Sequence, residues 1–410
     1  MTSMREKPLH VGVFGLFGAG NSGNDGSLEA VLDHLRTARP DAVLDAMCGG
    51  PEVVATRYGI PATRLNWYGG EYRTASRASA VAAKALGKLV DVLRTAAWVR
   101  RHDAVIVPGT GVLETTLPLR PWGFPYSLFL LCLAGRLFGT RVALVSVGAG
   151  PIGNRPTRVL TRWSTRLAAY RSYRDTQSRD AMRVMGVDTA RDEVYADLVF
   201  ALPAPSAGEP AGTRGPVCVG VMDFHGSNDE RDRAEQIHRR YLDGTTRFVR
   251  ALAEEGRPVR LLTGDELDRP VAAAIVDAVG SPLVTVAEAA SLADLMKETA
   301  CADSVVATRY HNLVCALKVG TPTLALSYSA KSDALMAEMG MGAYCHPARE
   351  ADADRLLEQF RELERRSAEV RRDLFERNLA VARRVEQQFA DLAAAVLPAD
   401  DHTHALRETP

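Results

Sequence analysis

Residues 304–331 (SVVATRYHNLVCALKVGTPTLALSYSAK) hold the densest set of groups able to do chemistry. A run of small and β-branched residues ends at Thr308, and the turn holds Arg309, Tyr310 and His311. Leu313, Ala316 and Leu317 then mark the apolar face of a helix that stops at Gly320. This order sets a guanidinium and an imidazole at a helix N-terminus, where unpaired N–H groups and the helix dipole favour an anion. Residues 323–326 read as the next strand and deliver Tyr328 and Lys331 to the same sheet edge, which brings Arg309, His311 and Lys331 close together. Phosphate or carboxylate is the expected ligand. An imidazole among cations is the expected proton carrier.

A second candidate follows the first apolar run. Gly18, Gly20 and Gly23 satisfy G-x-G-x-x-G, with Asn21 inside the pattern and Asn24-Asp25-Gly26 after it. A dinucleotide site needs the helix to start on those glycines and an acid at the end of the second strand. Here the helix formers begin at Ser27, and the second run ends in Cys48-Gly49-Gly50 with its one acid, Asp45, inside. What survives is a glycine and asparagine loop whose backbone donors approach a sugar or anion, against a loop that merely turns the corner. His225, in Asp223-Phe224-His225-Gly226, and Asp265, after Thr263-Gly264, stand at strand ends, where ligand contact and loop capping are both open. Asp352 and Asp354 open a helix and read as charge complementing its dipole, so no metal site is expected.

Two series of short apolar runs alternate with helical patterns, as in parallel sheets covered by helices. The first series has strands at 10–16, 43–48, 104–107 and 142–147, with helices near 27–36, 78–100, 124–138 and 156–169. The second has strands at 217–222, 259–262, 283–286, 304–307 and 323–326, with helices over 229–255, 270–279, 292–299, 312–318 and 333–339. The expected organisation is an N-terminal Rossmann-like domain over 1–202, a Pro, Gly and Ala-rich linker over 203–216, and a second Rossmann-like domain over 217–350. Closing helices follow over 351–397, in a stretch without Gly or Pro from 352 to 395, and a tail over 398–410. Two doubly wound α/β domains of this kind are expected to face a cleft, with ligands at the carboxyl ends of the strands.

The 410 residues carry 50 Lys+Arg against 50 Asp+Glu, so no global field holds a polyanion and no nucleic-acid partner is expected. With 46% hydrophobic and 24% charged residues, composition disfavours disordered, collagen-like and membrane-embedded classes. Six cysteines without CxxC spacing read as reduced thiols in the cytoplasm. The N-terminus lacks the apolar stretch of an export signal. Residues 124–138, interrupted by Arg136, are too short to span a bilayer and read as a buried helix.

At this level the chain resembles the polysaccharide pyruvyltransferases, from about residue 11 to 341. The strongest likeness is Arg-x-His-x-x-x-x-Ala-Leu-x-x-Gly-x-Pro, here Arg309, His311, Ala316, Leu317, Gly320 and Pro322, followed by Tyr328 and Lys331. Tyr173-Arg174-Asp175-Thr176-Gln177-Ser178 is similar to the family's Arg-Asp-x-x-Ser, and Tyr195-Ala196-Asp197-Leu198-Val199-Phe200 to its Asp-containing strand before the linker. The glycine loop is similar to the family's opening, with Asn24 intervening before Asp25, and Pro108-Gly109-Thr110-Gly111 stands where the family has a glycine cluster.

The resemblance implies a GT-B-like fold and transfer of a carboxyethylidene (pyruvyl ketal) group from phosphoenolpyruvate to sugar hydroxyls. It implies donor contacts from Arg174, Arg309, Lys331 and Tyr328, with His311 as general acid/base assisted by Arg309 and Lys331. Asn21, Gly23, Asp25, Gly109, Gly111 and His225 are the expected acceptor contacts. No cofactor is expected beyond phosphoenolpyruvate as co-substrate. The expected partner is a glycan, glycolipid or glycosylated metabolite, and residues 124–138 leave peripheral membrane contact open. Two other readings stay open: a nucleotide-sugar glycosyltransferase on the same frame, and a binding protein that keeps only the shape.

Overall fold

A computed structural model describes residues 8–67, 77–109, 111–114, 121–205 and 215–397. The expected tail and the middle of the expected linker lie outside the described residues. The chain divides into two compact units. One comprises Met1–Ala19, Ser27–Leu198 and Arg384–Pro410, the other Gly20–Gly26 and Val199–Arg383.

The first unit alternates β1 (His10–Gly15), α1 (Ser22–Ala38), β2 (Val43–Cys48), α2 (Pro51–Tyr58), β3 (Ala62–Arg64), α3 (Arg77–Val99) and β4 (Ala104–Pro108). It continues through α4 (Phe124–Phe138), β5 (Arg141–Val147), α5 (Arg155–Leu167), β6 (Tyr170–Tyr173), α6 (Thr176–Val184) and β7 (Glu193–Val194). Its seven strands are all parallel in the order β3-β2-β1-β4-β5-β6-β7. The order reverses between β1 and β4, so the loops after these two strands flank the topological switch point. Phe14, Trp98, Phe124, Leu128 and Leu144 pack the core on one face of the sheet. As expected, 124–138 is a helix, and most of it is buried.

The second unit contains β8 (Val217–Val221), α7 (Ala234–Glu254), β9 (Val259–Thr263), α8 (Arg269–Val279), β10 (Val284–Val286), α9 (Leu292–Ala300) and β11 (Ser304–Ala307). It then runs through α10 (Tyr310–Lys318), β12 (Thr323–Ser327), α11 (Ala330–Glu338), β13 (Cys345–Pro347) and α12 (Ala353–Arg365), and α13 (Ser367–Val396) closes the chain. Six parallel strands pair as β10-β9-β8-β11-β12-β13, reversing between β8 and β11. Asp265 and Asp352 prove to be caps: Asp265 accepts from the Leu267 amide, and Asp352 from those of Asp354 and Arg355.

Three local readings need correction. α1 begins at Ser22, on the glycine loop itself, because Asn21 caps it by accepting the Asn24 amide at 3.1 Å. α10 begins at Tyr310, with Arg309 at the N-cap position, so His311 stands in the first helical turn and not in a loop. The stretch around Asp197 is no strand, since a single 3₁₀ turn over Leu198–Ala201 follows it.

Trp98 is 1% exposed and packs on Phe14 and His102 at centroid distances of 6.4 and 4.3 Å. Trp98→Ala leaves a cavity the rigid sheet cannot fill. It is expected to lower the unfolding free energy by about 3–5 kcal/mol in chemical denaturation.

Candidate functional site

In the second unit the site is built where β8, β9 and β11 end. Asp268, fully buried just before α8, accepts the Asp223 amide at 3.0 Å and the Gly264 amide at 3.2 Å. The same carboxylate takes Arg309 in a fork, Nε at 2.8 Å and Nη2 at 2.6 Å. Burial pulls the Arg309 guanidinium down, but the bonds and charge of Asp268 outweigh it and hold the group above the ordinary arginine range. Beneath, the buried Tyr241 hydroxyl shares a 2.8 Å hydrogen bond with Thr308 and receives the Met222 amide at 3.1 Å. Burial pushes that phenol up to about 12, so it remains a neutral brace.

Arg309, His311 and Lys331, expected close together, engage two neighbours. Arg309 turns to Asp268, while His311 and Lys331 both meet Tyr310. The His311 ring lies edge-on to Tyr310 at 5.3 Å, and Lys331 Nζ stands 5.5 Å from that ring's centre. Tyr328 packs on Phe224 at 5.8 Å, and its carbonyl accepts from Arg349.

The glycine segment Gly20–Gly26 groups with this second unit. Gly23 faces the His311 imidazole so closely that a Cβ there would overlap the ring. The glycine is required by this approach, since its backbone is ordinary helix. Asn21 is exposed and occupied as a cap, and Asp25 is 7% exposed at the first turn of α1. His225, exposed in the loop after β8, bonds Asp223 at 2.9 Å.

Arg174, expected as an anion clamp, directly follows β6 in the first unit and is 4% exposed. Its guanidinium is ion-paired with Glu114, with Asp175 at 3.4 Å and with Asp197 at 3.6 Å. Among the described residues this guanidinium thus meets three carboxylates. Asp175 also caps α6 by accepting the Ser178 amide at 2.6 Å. Gly148 permits this packing, because a Cβ there would press on both Arg174 and Glu114. Beside it, Ser146 holds a left-handed backbone at φ 51° although it is not glycine. Its hydroxyl, braced by Ala196 and Gln388, helps keep it there. Gly109 is buried against Ser146 and Gly111 adjoins Glu114, so both expected acceptor glycines lie beside this carboxylate group. Sequence reasoning missed Glu114 and Asp268. Neither stands in a motif, and both act through partners 60 and 41 residues away.

Two doubly wound parallel α/β sheets with long C-terminal helices define the GT-B-like class. Solved structures of this class are similar over nearly the whole chain. A putative UDP-N-acetylglucosamine 2-epimerase from Listeria monocytogenes superimposes with a TM-score of 0.61 at 13% identity, covering 96% of this chain and 98% of that one. The UDP-GlcNAc 2-epimerase from Neisseria meningitidis gives 0.60 at 13% identity, over 94% and 99%. MurG from Acinetobacter baumannii gives 0.53 at 15% identity, over 94% and 99%. At such identities the likeness is one of fold. No curated protein sequence matches the chain significantly. Residues 21–330 match the family described as polysaccharide pyruvyl transferase, and the chain belongs to that family.

Asp268→Ala strips one half-buried guanidinium and two amides of their acceptor at once. It is expected to cost at least about 3 kcal/mol, read from the shift in the urea midpoint at constant slope.

Proposed function

We propose that this chain moves a carboxyethylidene group from phosphoenolpyruvate to two hydroxyls of a sugar-containing acceptor. Family membership supports the group transferred. The observation that carries the reading is the His311 imidazole, set in the first turn of α10 against Gly23, with Lys331 across Tyr310. A helix N-terminus with an imidazole and an ammonium nearby suits a ligand that bears both phosphate and carboxylate.

The reaction joins two acceptor oxygens to C2 of the donor and breaks its C2–O bond to phosphate. One hydroxyl proton ends on the methylene carbon, which becomes a methyl group, and the other leaves with phosphate. A group that both takes and gives a proton near neutrality is needed, and His311 fills that role. Arg309, held rigid by Asp268, and Lys331 oppose the charge of the leaving phosphate, with Tyr328 beside them. In this reading Arg174 holds Glu114 and Asp197 in place, and these carboxylates accept hydrogen bonds from acceptor hydroxyls near Gly109 and Gly111.

Peripheral contact with a lipid-linked acceptor also has support. No described helix is long and apolar enough to cross a membrane. α5, however, has no acidic residue and turns Arg155, Val159, Trp163 and Arg166 to solvent, the pattern of a helix that rests on an anionic surface.

Incubation with phosphoenolpyruvate and a panel of glycosides is expected to release phosphate and yield the ketal, read by mass spectrometry. Release of a nucleoside diphosphate from a nucleotide sugar, with phosphoenolpyruvate inert, would favour the glycosyltransferase reading. His311→Ala is expected to lower kcat by about 10²–10⁴. Gly23→Ala should displace the same ring and lower kcat with little change in melting temperature. Full activity in that variant would detach the glycine loop from the chemistry.

A further inference from the structure

We infer that Asp223, His225 and His238 form a binding site for a divalent first-row transition metal of the zinc type, at the carboxyl end of β8. The sequence reading, which considered only the Asp352 and Asp354 pair, expects no metal; His238 is set apart from Asp223 and His225 by a 3₁₀ turn and the start of α7. Asp223 and His225 alternate about Phe224, which is 1% exposed and turns into the core, so the carboxylate and the imidazole emerge on one side. His238 approaches from the first two turns of α7.

The donor atoms are already near metal-binding spacing. His225 Nε2 is 2.9 Å and His238 Nδ1 3.5 Å from the same Asp223 oxygen, and one ligand atom from each residue lies within 4.8 Å of the others. Bonds of about 2.0 Å at tetrahedral angles put ligand atoms roughly 3.3 Å apart, between the two measured nitrogen–oxygen separations. The two imidazoles stack at 4.3 Å with an 8° tilt. His238 Nδ1 is buried and makes no hydrogen bond to a described residue, which a metal bond would remedy.

Two nitrogens and one carboxylate oxygen favour zinc-like ions over magnesium or calcium, which take oxygen ligands. Three protein ligands leave a fourth position for an outside oxygen. The Asp223 amide hangs on the same Asp268 carboxylate that holds Arg309, so such an ion would stand next to the proposed donor clamp. Metal binding itself does not depend on which donor the enzyme uses.

The full chain, dialysed against chelator, is titrated with Zn²⁺ by calorimetry and with Co²⁺ by visible absorption. One equivalent of Zn²⁺ and a four-coordinate Co²⁺ spectrum are expected, with affinity falling at least about 10–100-fold in His225→Ala and in His238→Ala. His225 is exposed, so its substitution tests the site even if the His238 variant fails to fold. Absence of saturable binding to the wild-type chain, or binding unchanged in His225→Ala, would overturn the assignment whatever the outcome of the donor assay.

Discussion

The buried carboxylate of Asp268 is the constraint on which the second unit's site depends. A carboxylate without water is tolerated only if its lone pairs are filled, and here two strand-end amides and one arginine fork fill them. The loops after β8, β9 and β11 are thereby tied to one atom group at the reversal of the strand order. Arg309 gains a fixed direction in exchange for part of its hydrogen-bonding capacity. His311 is then set by its place in the first turn of the helix that starts just after Arg309, and Gly23 closes on the ring by having no side chain. A short chain of local necessities thus places an imidazole reproducibly without any element dedicated to it.

The first unit solves the inverse problem. The buried Arg174 guanidinium meets Glu114, Asp175 and Asp197, whereas in the second unit Arg309 is forked on Asp268 at a helix start, with Lys331 over Tyr310. The two arginines that motif likeness groups together are therefore unlike in environment, and their chemistry follows environment. Carboxylates held by an arginine suit hydroxyl ligands, whereas cations at a helix start suit oxyanions.

Much of the fold was legible beforehand because buried parallel strands read as unbroken apolar runs. β2 and β11 coincide with the expected spans, and β1, β4, β5, β8, β9, β10 and β12 differ by a residue at an end. β3, β7 and β13 (Ala-Thr-Arg, Glu-Val and Cys-His-Pro) and β6 (Tyr-Arg-Ser-Tyr) were missed because none of them is an unbroken apolar run, whereas the equally short β10 follows Leu283 as Val-Thr-Val. α1 was placed five residues late because glycine has poor helix propensity, and capping with a close approach to His311 overrode that.

The sequence by itself determined the α/β class, the succession of strand and helix, and the family, through Arg309, His311 and the spacing that follows them. It could not decide which charges meet. Arg309 with Asp268, Arg174 with Glu114 and Asp223 with His238 are pairings across 41, 60 and 15 positions. Helix and strand periods are set by neighbours a few residues apart, whereas ion pairs are set by which loops the sheet order brings to one edge. That order exists only once the chain has folded.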